Sequence, residues 1–136
     1  MRRIIVLLLL MLTAPILAQG MFDLPSGKWA TLDSPHFVVL IGTPKDRKMT
    51  WEVGKLQVHG TYKVNSNKGQ PSFQVNVDTI MKDGKAVTEA DVAGLQLKKG
   101  ESVRCIISWE ELGGFQMTAF DKDIQTVWTR HFKKAK

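Results

Sequence analysis

From residue 49 onward the chain alternates apolar and polar side chains with a period of two. Met49, Trp51 and Val53 alternate with Thr50 and Glu52. Leu56, Val58, Gly60, Tyr62 and Val64 alternate with Gln57, His59, Thr61 and Lys63. Phe73, Val75 and Val77 form a third set; Val103, Cys105, Ile107 and Trp109 a fourth; Phe115, Met117 and Ala119 a fifth. Successive side chains of a strand point to opposite faces, so each run has one apolar and one wet face. The pattern predicts antiparallel sheet buried on one side. No segment sustains a helical period. One helical turn is expected at residues 88–92, with Thr88 as cap and Asp91 three residues on.

Turn chemistry separates the runs. Gly42 to Asp46 cannot continue a strand, and Asn65 to Pro71 reads as a loop. Asp83-Gly84 reads as a tight turn, and Lys98-Lys99-Gly100-Glu101 and Leu112-Gly113-Gly114 read as hairpin connections. The count is about eight short strands, as in a sandwich or a barrel. The barrel is preferred, because each run has a single apolar face and closure removes exposed strand edges. Gly60 either marks a bend at a barrel corner or is merely tolerated.

The beginning of the chain breaks this pattern. Arg2 and Arg3 precede an unbroken apolar run over residues 4–12, and small residues follow up to Gly20. Charge, short apolar core and small-residue site in that order predict a cleaved secretory signal. Cleavage is expected before Gln19 or before Met21. The division is then a signal-peptide helix at 1–18 and one domain at 19–136, long enough for one modest core. No cysteine lies near either cleavage point, so no lipoprotein anchor is expected. The predicted destination is the periplasm or the outside of the cell, with no stable membrane anchor after cleavage.

That destination alters the weight of charge and cysteine. The net charge of +6 includes Arg2 and Arg3, which leave with the signal. The remaining excess is scattered: Lys45, Arg47 and Lys48; Lys98 and Lys99; then Lys133, Lys134 and Lys136. Outside the cytoplasm it favours an anionic cell-surface polymer over nucleic acid. Cys105 is the single cysteine, so no disulfide forms within the chain. Its place in an alternating run favours a buried thiol. An intermolecular disulfide and a reactive thiol are the alternatives.

Gly27-Lys28-Trp29 opens the first strand, and Arg130 stands near the end of the last. With a chain of antiparallel hairpins between them, these residues resemble the lipocalin and calycin barrels. That resemblance implies a closed antiparallel barrel in which Gly27 and Trp29 close the floor and Arg130 packs over the indole. Gly60 to Asn65 followed by Lys68 to Phe73 is similar to small bacterial lipocalin-like exported domains, including an uncharacterised planctomycete-type family. The stretch Ala93-Gly94-Leu95-Gln96-Leu97 departs from that family's pattern.

Catalytic and metal motifs are not found. His36, His59 and His131 are not at metal-ligand spacing, and Asp121-Lys122-Asp123 is a charged hairpin tip rather than a full calcium loop. There is no nucleophile elbow and no phosphate-binding loop. Neither an enzyme nor a cofactor is expected. The leading reading is an exported binding domain holding a small hydrophobic molecule in the barrel, against Trp51, Tyr62, Phe73, Cys105 and Met117. If instead those side chains fill the interior, the domain acts through loops and basic surface on a protein or the cell envelope. Lys45 to Lys48 and the tail from His131 to Lys136 would then be its contacts.

Overall fold

The computed structural model describes residues 24–32, 36–65 and 72–135. The signal segment and the loop over residues 66–71 lie outside them. Among the described residues eleven strands run in chain order: β1 Gly27–Ala30, β2 Phe37–Ile41, β3 Lys48–Val53, β4 Leu56–Asn65, β5 Ser72–Lys82, β6 Lys85–Val87, β7 Glu89–Val92, β8 Leu95–Lys98, β9 Ser102–Trp109, β10 Phe115–Phe120 and β11 Thr126–Lys134. Among the described residues there is no helix.

Eight of these strands close into one antiparallel barrel. β1 to β5 pair in sequence, β5 pairs β9, β9 to β11 pair in sequence, and β11 returns to β1. This is the closed, all-β antiparallel barrel that the alternation favours, and it is consistent with the lipocalin-like fold that the resemblance implies. The remaining three strands are inserted between β5 and β9. β6 folds back on the end of β5, and β7 and β8 make a separate two-stranded hairpin.

Local chemistry explains the turns. Asp83 (φ 53°) and Gly84 (φ 76°) are both left-handed and join β5 to β6 with Lys82 opposite Lys85. Two left-handed residues match the twist of the flanking strands. Ala93 (φ 52°) and Gly94 (φ 96°) make the same kind of turn, with Val92 opposite Leu95. The expected helical turn at 88–92 is therefore strand β7. The tight turn pairs it with β8, and its alternate residues Ala90 and Val92 serve one apolar face. Residues 98–101 do turn the chain, but they connect β8 to β9, which do not pair.

Gly60 is required by the bend. The β4–β5 ladder slips between His59 and Gly60, leaving Asp78 as the extra residue of a bulge. A Cβ on Gly60 would collide with the carbonyl oxygen of Asn76. The close backbone approach at the bulge excludes any side chain there.

The core is the barrel interior. A column of rings runs along it from one end to the other. Trp128 meets Phe37 (5.2 Å), Phe37 meets Phe132 (5.4 Å), Phe132 stacks on Phe115 (5.3 Å) and Phe115 meets Trp29 edge-on (5.0 Å). Trp51 flanks the column against Phe37 and Trp128. Such pairs add about 0.5–1.5 kcal/mol each beyond the area they bury.

Candidate functional site

The five side chains expected to touch a ligand all point into the barrel. Trp51 (β3), Tyr62 (β4) and Phe73 (β5) are 1 % exposed, and Cys105 (β9) and Met117 (β10) are fully buried. Phe73 stands opposite Cys105, and Cys105 opposite Ala119, so these strands carry one continuous inward row. Trp51 donates its indole N–H to the sulfur of Met49 at 3.1 Å. The aromatic column and these neighbours occupy the interior with side chains. Burial alone pushes the Cys105 thiol well above its ordinary pKa, because the apolar surroundings penalise the thiolate. The buried thiol is a core group, neither ionised nor presented to a partner.

Trp29 closes the floor of the barrel. It is 8 % exposed, lies edge-on to Phe115, and donates its indole N–H to the Pro25 carbonyl at 3.0 Å. The cation over its ring is Lys134, with Nζ 4.9 Å from the ring centroid, and not Arg130. The strand register is the reason. Trp29 pairs with Lys134, whereas Arg130 stands opposite Met117. Four residues of extended strand place Arg130 about 13 Å further along β11. Gly27 lies beside Lys134 as well, whose Nζ takes the place a side chain at Gly27 would need.

The opposite end, the mouth, is closed differently. The β7–β8 hairpin folds over it with Val92, Leu95 and Leu97 buried. The Trp128 indole N–H donates to the carbonyl of Val92 at 3.1 Å, beneath the hairpin and out of water. Hydrogen bonds made away from water matter most when they break, because the stranded carbonyl then bears the full desolvation cost.

A groove of about 550 Å³ lies where the hairpin meets the rim. Its apolar wall comes from Val77, Leu95, Leu97, Val103 and Val127, and its polar rim from Gln74, Gln96, Lys98, Glu101, Arg104 and Lys122. Glu101 and Lys122 form an ion pair across the rim at 3.0 Å. The β10–β11 turn supplies Ile124, which is 62 % exposed. That turn is organised by Asp121, whose Oδ1 accepts the backbone N–H groups of Asp123 and Gln125, each at 2.9 Å. None of the five interior residues lines this groove. The alternating pair Ala90/Val92 and Leu95/Leu97 around Ala93-Gly94 was the available signal for the hairpin, and the sequence stretch there did depart from the family pattern.

Among the described residues no three of His, Cys, Asp and Glu come close enough to hold an ion. His59 Nδ1 lies 3.1 Å from Thr50 Oγ1, and His131 Nδ1 lies 3.0 Å from Glu110 Oε1. No family model, no curated protein and no solved structure matches this chain.

Proposed function

We propose that the chain is an exported, non-enzymatic binding domain that takes a small, partly apolar ligand at the mouth of its barrel. The observation that carries this is the groove of about 550 Å³. That size falls in the roughly 300–1,000 Å³ range of small-molecule sites. Its make-up supports the same reading: an apolar wall of Val103, Val127 and the hairpin leucines, and a rim of amide, guanidinium and ammonium donors. The ligand lies outside the aromatic column, because the interior is occupied by the protein's own side chains. Export is supported by Arg2, Arg3, the apolar run over residues 4–12 and the small residues before Gln19. The similarity of residues 60–65 and 68–73 to small exported lipocalin-like domains, planctomycete-type ones included, supports the same compartment.

Native mass spectrometry of the protein from its own host, followed by binding of a fluorescent fatty-acid probe, tests the proposal. A retained small molecule or saturable probe binding is expected, and Val127→Trp, which fills the groove, should weaken it at least tenfold. Substitution of the interior Met117 by Leu should leave it unchanged. No retained molecule and no probe binding, or binding indifferent to Val127→Trp, would overturn the groove as the site.

A further inference from the structure

The two basic segments lie far apart in the chain, and the barrel brings them to one end. Lys133 and Lys134 finish β11 beside β1, where the Ala135 N–H donates to the Lys28 carbonyl at 2.9 Å. β1 pairs β2 up to Ile41, and the turn after Ile41 carries Lys45, Arg47 and Lys48. The tail is therefore tied to the sheet, and these cations form one arc around the floor. Next to the arc is the β9–β10 turn, where Gly114 packs against the Phe132 carbonyl. This turn exposes Trp109 (50 %) and Leu112 (92 %). Trp109 ends an alternating run, yet it stands half-exposed at the rim, with its ring 6.3 Å from that of Phe115.

Among the described residues the acidic side chains at this end are Asp46, Glu110 and Glu111, and Glu110 is already engaged by His131 at 3.0 Å. At the mouth the charges interleave instead. Glu101 pairs there with Lys122, Glu89 stands opposite Lys98, and the surrounding elements carry Asp83, Asp91, Asp121 and Asp123 along with Lys85 and Lys99. The positive excess of the described residues thus sits at the floor, beside two large exposed apolar side chains.

We infer that the floor of the barrel is a reversible docking surface for an anionic lipid bilayer. The lysines and arginine face the headgroups, and Trp109 and Leu112 enter the interfacial layer. Juxtaposed cations are attracted to an anionic surface within a Debye length. Indole rings settle at headgroup depth, where an apolar body and a polar N–H are both satisfied. A solvated polyanion would engage the cations equally well, but it would leave Trp109 and Leu112 in water. Their exposure beside the arc is what selects a bilayer over a polysaccharide or a nucleic acid.

Co-sedimentation of the exported form with phosphatidylglycerol-containing vesicles tests the inference, with pure phosphatidylcholine vesicles as comparison. Binding to the anionic vesicles at low salt is expected, and little to the zwitterionic ones. Lys45→Gln/Lys48→Gln/Lys133→Gln should weaken it roughly 100-fold. Leu112→Ser, at a position with no packing role, should weaken it severalfold and raise its salt sensitivity. Trp109→Ser should do the same, with thermal melting to confirm that the barrel stays folded. Three results would each overturn the inference. One is no binding to anionic vesicles at low salt, and another is equal binding to both lipids. The third is a Leu112→Ser variant that binds as well as the parent while soluble dextran sulfate displaces both, which identifies a solvated polymer as the partner.

Discussion

The two ends of this barrel are closed by different means. At the floor, residues of the barrel strands do the work: Trp29 of β1, Phe115 of β10 and Lys134 of β11 pack on one another across neighbouring strands. At the mouth, a hairpin that shares no ladder with any barrel strand folds over the opening. It is held by buried Val92, Leu95 and Leu97, by the Trp128 indole, and by the Gly100 N–H, which donates to the Val77 carbonyl at 2.8 Å. The floor is thus part of the cooperative core. The mouth is an added piece with few ties, the kind of region that opens locally before the whole molecule unfolds. The proposed ligand groove lies beside the loosely tied piece, and the proposed docking face lies on the stiff one.

The largest expected effect lies at the floor. Trp29→Ala should lower global stability by about 3–5 kcal/mol, the usual cost of emptying a buried aromatic site. Urea unfolding followed by circular dichroism measures it. A loss below about 1 kcal/mol would mean that Trp29 is not part of the cooperative core.

At the mouth, Trp128→Phe removes the indole donor and strands the Val92 carbonyl. A loss of about 1–3 kcal/mol is expected. Hydrogen exchange should quicken in β7 and β8 and leave the β1 and β11 amides near the floor unchanged. Uniform acceleration over both ends would erase the distinction drawn between them.

The thiol between the two closures reports on both. Folding raises the pKa of Cys105 above its unfolded value of 9.0. Below that value both states keep the proton and the thiol adds no pH dependence. Above it the unfolded chain releases a proton that the folded chain retains, so stability falls as pH rises. The loss should reach about 1.4 kcal/mol one unit above the unfolded pKa, and Cys105→Ala should remove that part of the alkaline limb. Unfolding curves measured from neutral to alkaline pH would show it. A native protein whose thiol reacts with a maleimide as quickly as the unfolded chain would contradict the sealed interior.

The smallest effect separates two cations. Lys134→Met should cost about 0.5–1 kcal/mol through the lost contact with the Trp29 ring, whereas Arg130→Met should not disturb the floor. Thermal melts with tryptophan fluorescence as readout would distinguish them. A Trp29 environment that responds to Arg130 and not to Lys134 would reverse the assignment.

Much of the barrel could be read in advance. The alternating sets around Trp51, Tyr62, Phe73, Cys105 and Met117 are local statements about which face is apolar, and all five side chains do lie in the core. Asp83-Gly84 announces its turn because few other dipeptides take two left-handed positions cheaply. The groove was not readable in the same way. Its walls come from β5, β8, β9, the β10–β11 turn and the start of β11, and no local pattern says that these meet. The same holds for Lys134: a Gly-x-Trp is visible along the chain, but which cation lies over the ring depends on how β11 registers against β1.

The sequence by itself determined the period-two alternation, several of the places where the chain turns and the place of the single thiol in an alternating run, because backbone preference and side-chain polarity act between near neighbours. Only the tertiary structure decided that rings would fill the interior, that an inserted hairpin would cover the mouth, and that two distant basic segments would share the floor with Trp109 and Leu112. Those outcomes depend on strand order and register, which are set by the packing of the whole barrel and by no single stretch of it.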